Sequence, residues 1–249
     1  MDRPEGVPYN SGPTHNIDKR AVKKTTVRSV AYLSGAPRVS TRPDASATGP
    51  RAHVLSFIHA LERLGWNVIT YIVGDRVPKR WVVKESRALF GGYGLKTWVA
   101  DGIRMALSVY HLLWVRKRIG KVAWVYERMG LFQALGWPFK RAGVPWVLEV
   151  NARFSVEERG EKTFGSQRLV ERWETWLFHQ ADLLVVVSNV LRDALVEIGS
   201  PTDKILVLPN AVDVHRYNPN HVRPIRIFSQ PTVGFVGTMY PWQGLDRLI

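Results

Sequence analysis

Short apolar runs alternate with stretches whose apolar residues recur three and four positions apart, and this alternation predicts repeated strand–helix–strand units. The clearest unit runs from Ala181 to Asp213. Leu183 to Val187 is an unbroken apolar run containing β-branched residues. A strand wetted on one face would alternate, so this one reads as buried on both faces, as in a parallel sheet. Ser188 follows as an N-cap, because its hydroxyl can accept a free N–H of the next helix. Leu191, Ala194, Leu195 and Ile198 hold helical spacing, and Gly199 with Pro201 ends the helix. Ile205 to Leu208 then predicts a short strand cut by Pro209, with an Asn-containing turn behind it.

The same rhythm extends back along the chain. Thr26 to Leu33 predicts a first strand, followed by a long loop through Gly35, Pro37, Pro43 and Ala47. Thr48-Gly49-Pro50 then opens a helix with Val54, Phe57, Ile58, Leu61 and Leu64 at helical spacing. Proline at the first helical position is pre-organised and gives up no needed donor. Gly65 ends that helix and Val68 to Val73 predicts a second strand. Further strands are predicted over Val122 to Tyr126 and Trp146 to Val150. Helices are predicted over Asp101 to Arg118, Leu131 to Ala142 and Gln167 to Gln180. The expected fold class is α/β: a Rossmann-like parallel sheet flanked by helices. The Gly-x-Gly-x-x-Gly fingerprint is absent after the first strand, which argues against an NAD or FAD enzyme.

Charge adds a second layer. The 35 Lys and Arg outnumber 21 Asp and Glu, for a formal net charge of +14. Such a field favours polyanions: nucleic acid, anionic lipid head groups or phosphorylated substrates. Much of it lies between Asp75 and Lys121, where Arg76, Lys79, Arg80, Lys84, Arg87, Arg116, Lys117 and Arg118 interleave with Trp81, Phe90, Tyr93 and Trp98. Ile103, Leu107, Tyr110 and Trp114 predict an amphipathic helix there. Two readings stand: a core-facing helix with a solvated basic face, or a patch that docks on anionic membrane. Nucleic acid is the weaker partner, since no RNP-like, zinc-finger or helix-turn-helix pattern occurs. There is no cysteine, so disulfides, thiolate metal sites and cysteine nucleophiles are excluded. No run reaches the ~18 apolar residues of a spanning helix. Residues 1–25 are polar, lack the apolar segment of a secretory signal, and read as a tail on a cytoplasmic chain, peripheral on the membrane if the patch docks there.

Three stretches resemble the family 4 glycosyltransferases of the GT-B fold. The strand with Ser188 and Leu191, followed by Pro209-Asn210-Ala211-Val212-Asp213, is similar to the end of that family's N-terminal domain, although Ala211 replaces a usual Gly. Gly143-Val144-Pro145-Trp146-Val147-Leu148-Glu149-Val150-Asn151-Ala152 resembles a helix-to-strand passage of one branch. Val233-Gly234-Phe235-Val236-Gly237-Thr238, with Pro241-Trp242-Gln243-Gly244, resembles the opening of the second domain. The resemblance covers roughly Thr26 to Ile249 and implies an acceptor-side domain over 26–213, a linker over 214–231, and the first strand and helix start of a donor domain over 232–249. One strand and part of a helix cannot bury a second core, so the expectation is a chain truncated after the inter-domain linker.

In open parallel sheets ligands collect beyond the carboxyl ends of strands. That rule selects Gly49, Arg51 and His53 after the first strand, Glu127 after the Val122 strand, and Glu149 and Asn151 after the Trp146 strand. Pro50 removes one donor from the helix start, and His53 reads either as a packed histidine or as a substrate contact. Glu127 and Arg128 could form a simple ion pair. Glu149 and Asn151, two apart, share a face; they either satisfy the strand end or meet substrate. Many family members carry His where Asn151 stands, near the reacting sugar. An Asn positions a hydroxyl but moves no proton. Ser188 and Asn210 are first a cap and a turn former, and lie near the cleft by resemblance. Gly237 resembles the glycine that lets the backbone approach the donor diphosphate. The resemblance implies retaining hexosyl transfer from a nucleotide-sugar to a hydroxyl of a saccharide or lipid-linked acceptor, with no metal and no cofactor. The family's donor anchors would lie beyond Ile249, so the chain alone is expected to be inactive. The alternative is a non-catalytic basic α/β module on anionic membrane.

Overall fold

A computed structural model of the chain describes residues 28–78, 95–157, 165–214, 217, 218, 220, 221, 228–236 and 247. The basic residues between Lys79 and Gly94, the 1–25 tail and Gly237 lie outside the described residues. The chain divides into two compact units, residues 1–210 and 211–249. The second unit's residues 232–236, expected as a strand, are exposed and belong to no strand.

In the first unit the strands are β1 (Ser29–Ser34), β2 (Asn67–Ile72), β3 (Trp124–Arg128), β4 (Trp146–Val150), β5 (Leu183–Val186) and β6 (Ile205–Val207). All pair in parallel, in the order β2-β1-β3-β4-β5-β6. The described helices are α1 (Gly49–Arg63), α2 (Leu95–Ile119), α3 (Trp137–Lys140), α4 (Phe154–Glu157), α5 (Gln167–Gln180) and α6 (Asn189–Glu197). The expected Rossmann-like sheet is therefore present, with neighbours set by crossover helices rather than hairpins.

Local chemistry starts the helices where the sequence places them. Thr48, Ser166 and Ser188 accept backbone N–H bonds from Arg51, Leu169 and Leu191 at 3.3, 3.3 and 3.2 Å. Each removes one free donor from a helix start. Two cores sandwich the sheet. Tyr32, Val54, Ile58, Ile72, Tyr126 and Val185 form the layer under α1. Leu33, Val115, Val125, Trp146, Leu148, Leu177, Phe178 and Leu195 build the larger layer on the other face.

Two differences from the sequence expectation matter for the site. β3 begins at Trp124 and runs on to Arg128, so Glu127 stands inside the strand instead of beyond it. The helix expected over Leu131 to Ala142 shrinks to Trp137–Lys140. Phe132 takes a left-handed φ of 59°, and the N–H groups of Leu135 and Gly136 bond to Glu127 instead of to a preceding turn. A regular helix cannot satisfy both demands.

Candidate functional site

The connection from β1 passes over one face through α1, while α2 packs on the other face before β3. The sheet's order therefore reverses between β1 and β3, and in open parallel sheets the crevice beyond the carboxyl ends of such a pair is where ligands bind. The two strand ends meet as bare backbone. Gly35 N–H donates to the Arg128 carbonyl at 3.2 Å, and a Cβ on Gly130 would lie 2.3 Å from the Gly35 carbonyl carbon. Only glycine allows this approach.

Glu149 closes the same edge from β4. It is opposite Arg128 in the β3–β4 register, so both side chains rise on the α1 face. Its carboxylate is 1% exposed and ringed by donors. Asn151 Nδ2 donates to Oε1 at 2.6 Å, His53 Nε2 lies 3.0 Å from Oε1 and 3.1 Å from Oε2, and Arg128 Nε stands 3.5 Å from Oε1. The Tyr126 hydroxyl also hydrogen-bonds Glu149. Burial alone would push the Glu149 carboxyl up, but His53, Asn151 and Arg128 outweigh it and hold it below the usual carboxylate range. An ionised carboxylate only accepts hydrogen bonds, so Nε2 of His53 carries the proton directed at it. His53 is itself 26% exposed, while Phe57, one turn further along α1, stacks on Tyr126 at 4.2 Å beneath it. An apolar floor thus carries a carboxylate–imidazole pair that opens to solvent on the histidine side.

The loop before α1 is clamped to the end of β2. Asp75 accepts from Ser40 Oγ at 2.6 Å, Thr41 N at 2.8 Å and Thr41 Oγ1 at 2.5 Å. Arg42 donates to the Asp75 carbonyl, and Arg51 donates to the Arg42 carbonyl at 3.1 Å. A Cβ on Gly74 would fall 2.0 Å from the Val39 carbonyl oxygen, so the loop seats directly on backbone. These contacts fix where α1 begins, and with it where His53 stands.

The residues selected from sequence divide accordingly. His53, Glu149 and Asn151 come together. Arg51 is spent on the loop, and Gly49 lies at the exposed start of α1. Ser188 caps α6, and Asn210 is exposed beyond β6. Glu127 is fully buried on the opposite face, where both oxygens accept backbone N–H groups from Leu135 and Gly136 at 2.9 and 2.7 Å. The ion pair anticipated between Glu127 and Arg128 does not form, because neighbours on a strand point to opposite faces. Arg128 turns to Glu149 instead and is the site residue missed from sequence. The signal was its parity with Glu149 across two adjacent strands, which needs the strand order. Among the described residues, no group of three His, Asp or Glu is placed to hold a metal ion, and no helix is long and apolar enough to cross a membrane.

No curated protein matches the chain. Among solved structures, sucrose-phosphate synthase from Thermosynechococcus elongatus aligns at a TM-score of 0.51 and 15% identity, over 76% of this chain and 49% of that one. UDP-N-acetylglucosamine 2-epimerase from Rickettsia bellii aligns at 0.45 and 14%, over 72% and 44%. The Anabaena protein HepE in complex with UDP aligns at 0.40 and 14%, over 77% and 47%. The chain thus spans just under half the length of each of these proteins, and the first of them shares its fold. The model of the glycosyl transferase 4-like domain matches residues 48–211, from the cap of α1 through β6. With that match covering most of the parallel sheet and both sides of the His53–Glu149 pair, the chain belongs to the glycosyl transferase 4-like family, its sheet being an N-terminal domain of the GT-B type.

Proposed function

We propose that this domain is the acceptor side of a glycosyltransferase that moves a hexosyl group from a nucleotide-sugar to a hydroxyl of a saccharide or lipid-linked acceptor. The family match over residues 48–211 carries this reading. The His53–Glu149–Asn151 cluster at the crevice supplies its chemistry. His53, fixed by the buried carboxylate, presents its open ring edge to the acceptor, and Nδ1 holds the hydroxyl proton. Glu149 and Arg128 keep the imidazole oriented, and Asn151 retains a carbonyl acceptor for a neighbouring hydroxyl. Retention of anomeric configuration and independence of metal belong to the same reading and rest on the family resemblance. So does the donor: the solved relative HepE was found with UDP, and the chain spans about half of that protein. On this division of labour the 249 residues alone do not turn over a nucleotide-sugar.

Saturation-transfer NMR with a panel of saccharides and lipid-linked saccharides tests the reading. Signal transfer to one acceptor class is expected, with loss in His53→Ala at unchanged circular dichroism. Absence of transfer to every acceptor, or turnover of a nucleotide-sugar by these residues alone, would sink it.

A second reading, docking on anionic membrane, is favoured by α2. Val109, Tyr110, Leu113 and Trp114 are 55, 50, 65 and 43% exposed, and Arg116, Lys117 and Arg118 follow them on the last turn. Sedimentation with anionic and neutral liposomes separates it from a solvated face. Docking that is lost in salt supports the reading, and equal partition to both liposomes removes it.

A further inference from the structure

On the face of the sheet opposite Glu149, the end of β2 and the last three turns of α2 frame an open recess of about 270 Å³ lined by Tyr71, Asp75, Arg76, Tyr110 and Arg118. Two guanidinium groups line it, and among the described residues neither has a carboxylate partner. Among the described residues Asp75 is the only acid on the wall, and its oxygens accept from Ser40 and Thr41. The Arg76 guanidinium lies 4.0 Å above the Tyr71 ring centroid, a cation–π contact that places its charge at the recess. Tyr71 does not compete for a ligand there, because its hydroxyl bonds Nδ1 of the buried His111 at 3.0 Å. Burial, with Arg76 adding to it, pulls His111 down to about 4, so the ring under the recess is neutral and adds no charge. The wall therefore combines the Tyr71 ring with two cationic side chains and Tyr110.

We propose that Arg76 and Arg118 form a phosphate-monoester site, separate from the crevice at Glu149. A dianionic phosphate monoester can accept the forked N–H groups of both guanidiniums, whose two positive charges outnumber the one carboxylate, Asp75, lining the recess among the described residues. Tyr110 supplies a further donor. The ligand's phosphate could belong to a soluble phosphate ester or to a lipid head group. Trp114, whose ring lies 6.4 Å from Tyr110 and carries Lys117 at 5.2 Å, is placed to meet acyl chains only in the second case. The proposal is independent of the glycosyl-transfer reading, which concerns the other face.

The test follows the Arg Nε–H resonances of the 249-residue chain during titration with inorganic phosphate, and sedimentation with phosphatidylcholine vesicles with or without phosphatidic acid. Saturable shifts at Arg76 and Arg118 are expected, with affinity falling roughly tenfold in R76Q and in R118Q, the scale of one charge-assisted hydrogen bond. Both side chains are exposed, and thermal melting confirms that the variants fold. If phosphatidic acid recruits the wild type but not R76Q/R118Q, and W114A loses vesicles while keeping phosphate, the source is a lipid head group. If phosphate binds and vesicles do not, the source is a soluble ester. Phosphate shifts that are unsaturable, or that keep their affinity at Arg118 in R76Q or at Arg76 in R118Q, overturn the proposal.

Discussion

Glu127 and Arg128 are adjacent on β3 yet serve opposite faces of the sheet. Arg128 reaches Glu149 at 3.5 Å beside His53, while Glu127 is sealed below and hydrogen-bonded to the N–H groups of Leu135 and Gly136. The carboxyls of Glu127 and Glu149, both buried, are therefore shifted in opposite directions.

Glu149 is held below its ordinary value, so it binds protons more weakly folded than unfolded. Its contribution to stability is present above the ordinary carboxylate range and is lost as pH falls through the lowered value. Glu149→Gln should cost about 3 kcal/mol near neutral pH, because Arg128 is left without its counter-charge. Thermal melting of both proteins from pH 7 down to pH 3 checks this. The gap between them is expected to close in acid, and a constant gap contradicts it.

For Glu127 the sign reverses. Burial pushes its carboxyl up to about 7 despite the two backbone donors. It binds a proton more tightly folded than unfolded, so its contribution is full below the ordinary value and is lost as pH rises through about 7. Glu127→Gln should flatten the decline in stability between pH 5 and 8. Urea midpoints measured across that window show whether the slope disappears.

Beneath Glu149 lie two tyrosines with different fates. The Tyr32 hydroxyl is buried without a hydrogen-bond partner among the described residues, whereas that of Tyr126 reaches Glu149. Removing an unpaired buried hydroxyl relieves a desolvation cost, so Tyr32→Phe should leave stability unchanged or raise it by about 1 kcal/mol. Tyr126→Phe should lower it by about 1 kcal/mol. Chemical denaturation of the two variants side by side tests the contrast, which a reversed order would contradict.

Two glycines near the crevice offer a second contrast. A Cβ at Gly130 meets the Gly35 backbone, so Gly130→Ala should cost roughly 1–3 kcal/mol by forcing the ends of β1 and β3 apart. A Cβ at Gly49 meets nothing within 4 Å, and Gly49→Ala should be neutral or stabilising by up to about 1 kcal/mol. Calorimetric melting decides; equal effects at the two positions would contradict the close approach.

Much of the fold was legible because its determinants are local. The cap at Ser188, the helix start at Thr48-Gly49-Pro50, and the spans Trp146–Val150 and Gln167–Gln180 follow from patterns a few residues long. The segment after Gly130 was not legible, because its path is set by a carboxylate from inside β3 that claims the N–H groups a helix would use. His53, Glu149 and Asn151 were selected by their places after strands, but one by one. Their meeting depends on β1 lying beside β3, and no run of residues encodes that neighbour. In sequence Asp75 only bounds the basic stretch, since Ser40 and Thr41 reach it only when the loop folds back.

The order β2-β1-β3 also bears on how the chain assembles during synthesis. Val30 finds Val68 early, but its other neighbour, Trp124, leaves the ribosome much later. Until then one flank of the central strand, with Tyr32 and Leu33, stands open to any passing strand. Distant partners of this kind slow the search for the native state and lengthen exposure to aggregation. The seam between β1 and β3 thus stays open until α1, β2 and α2 have all been made.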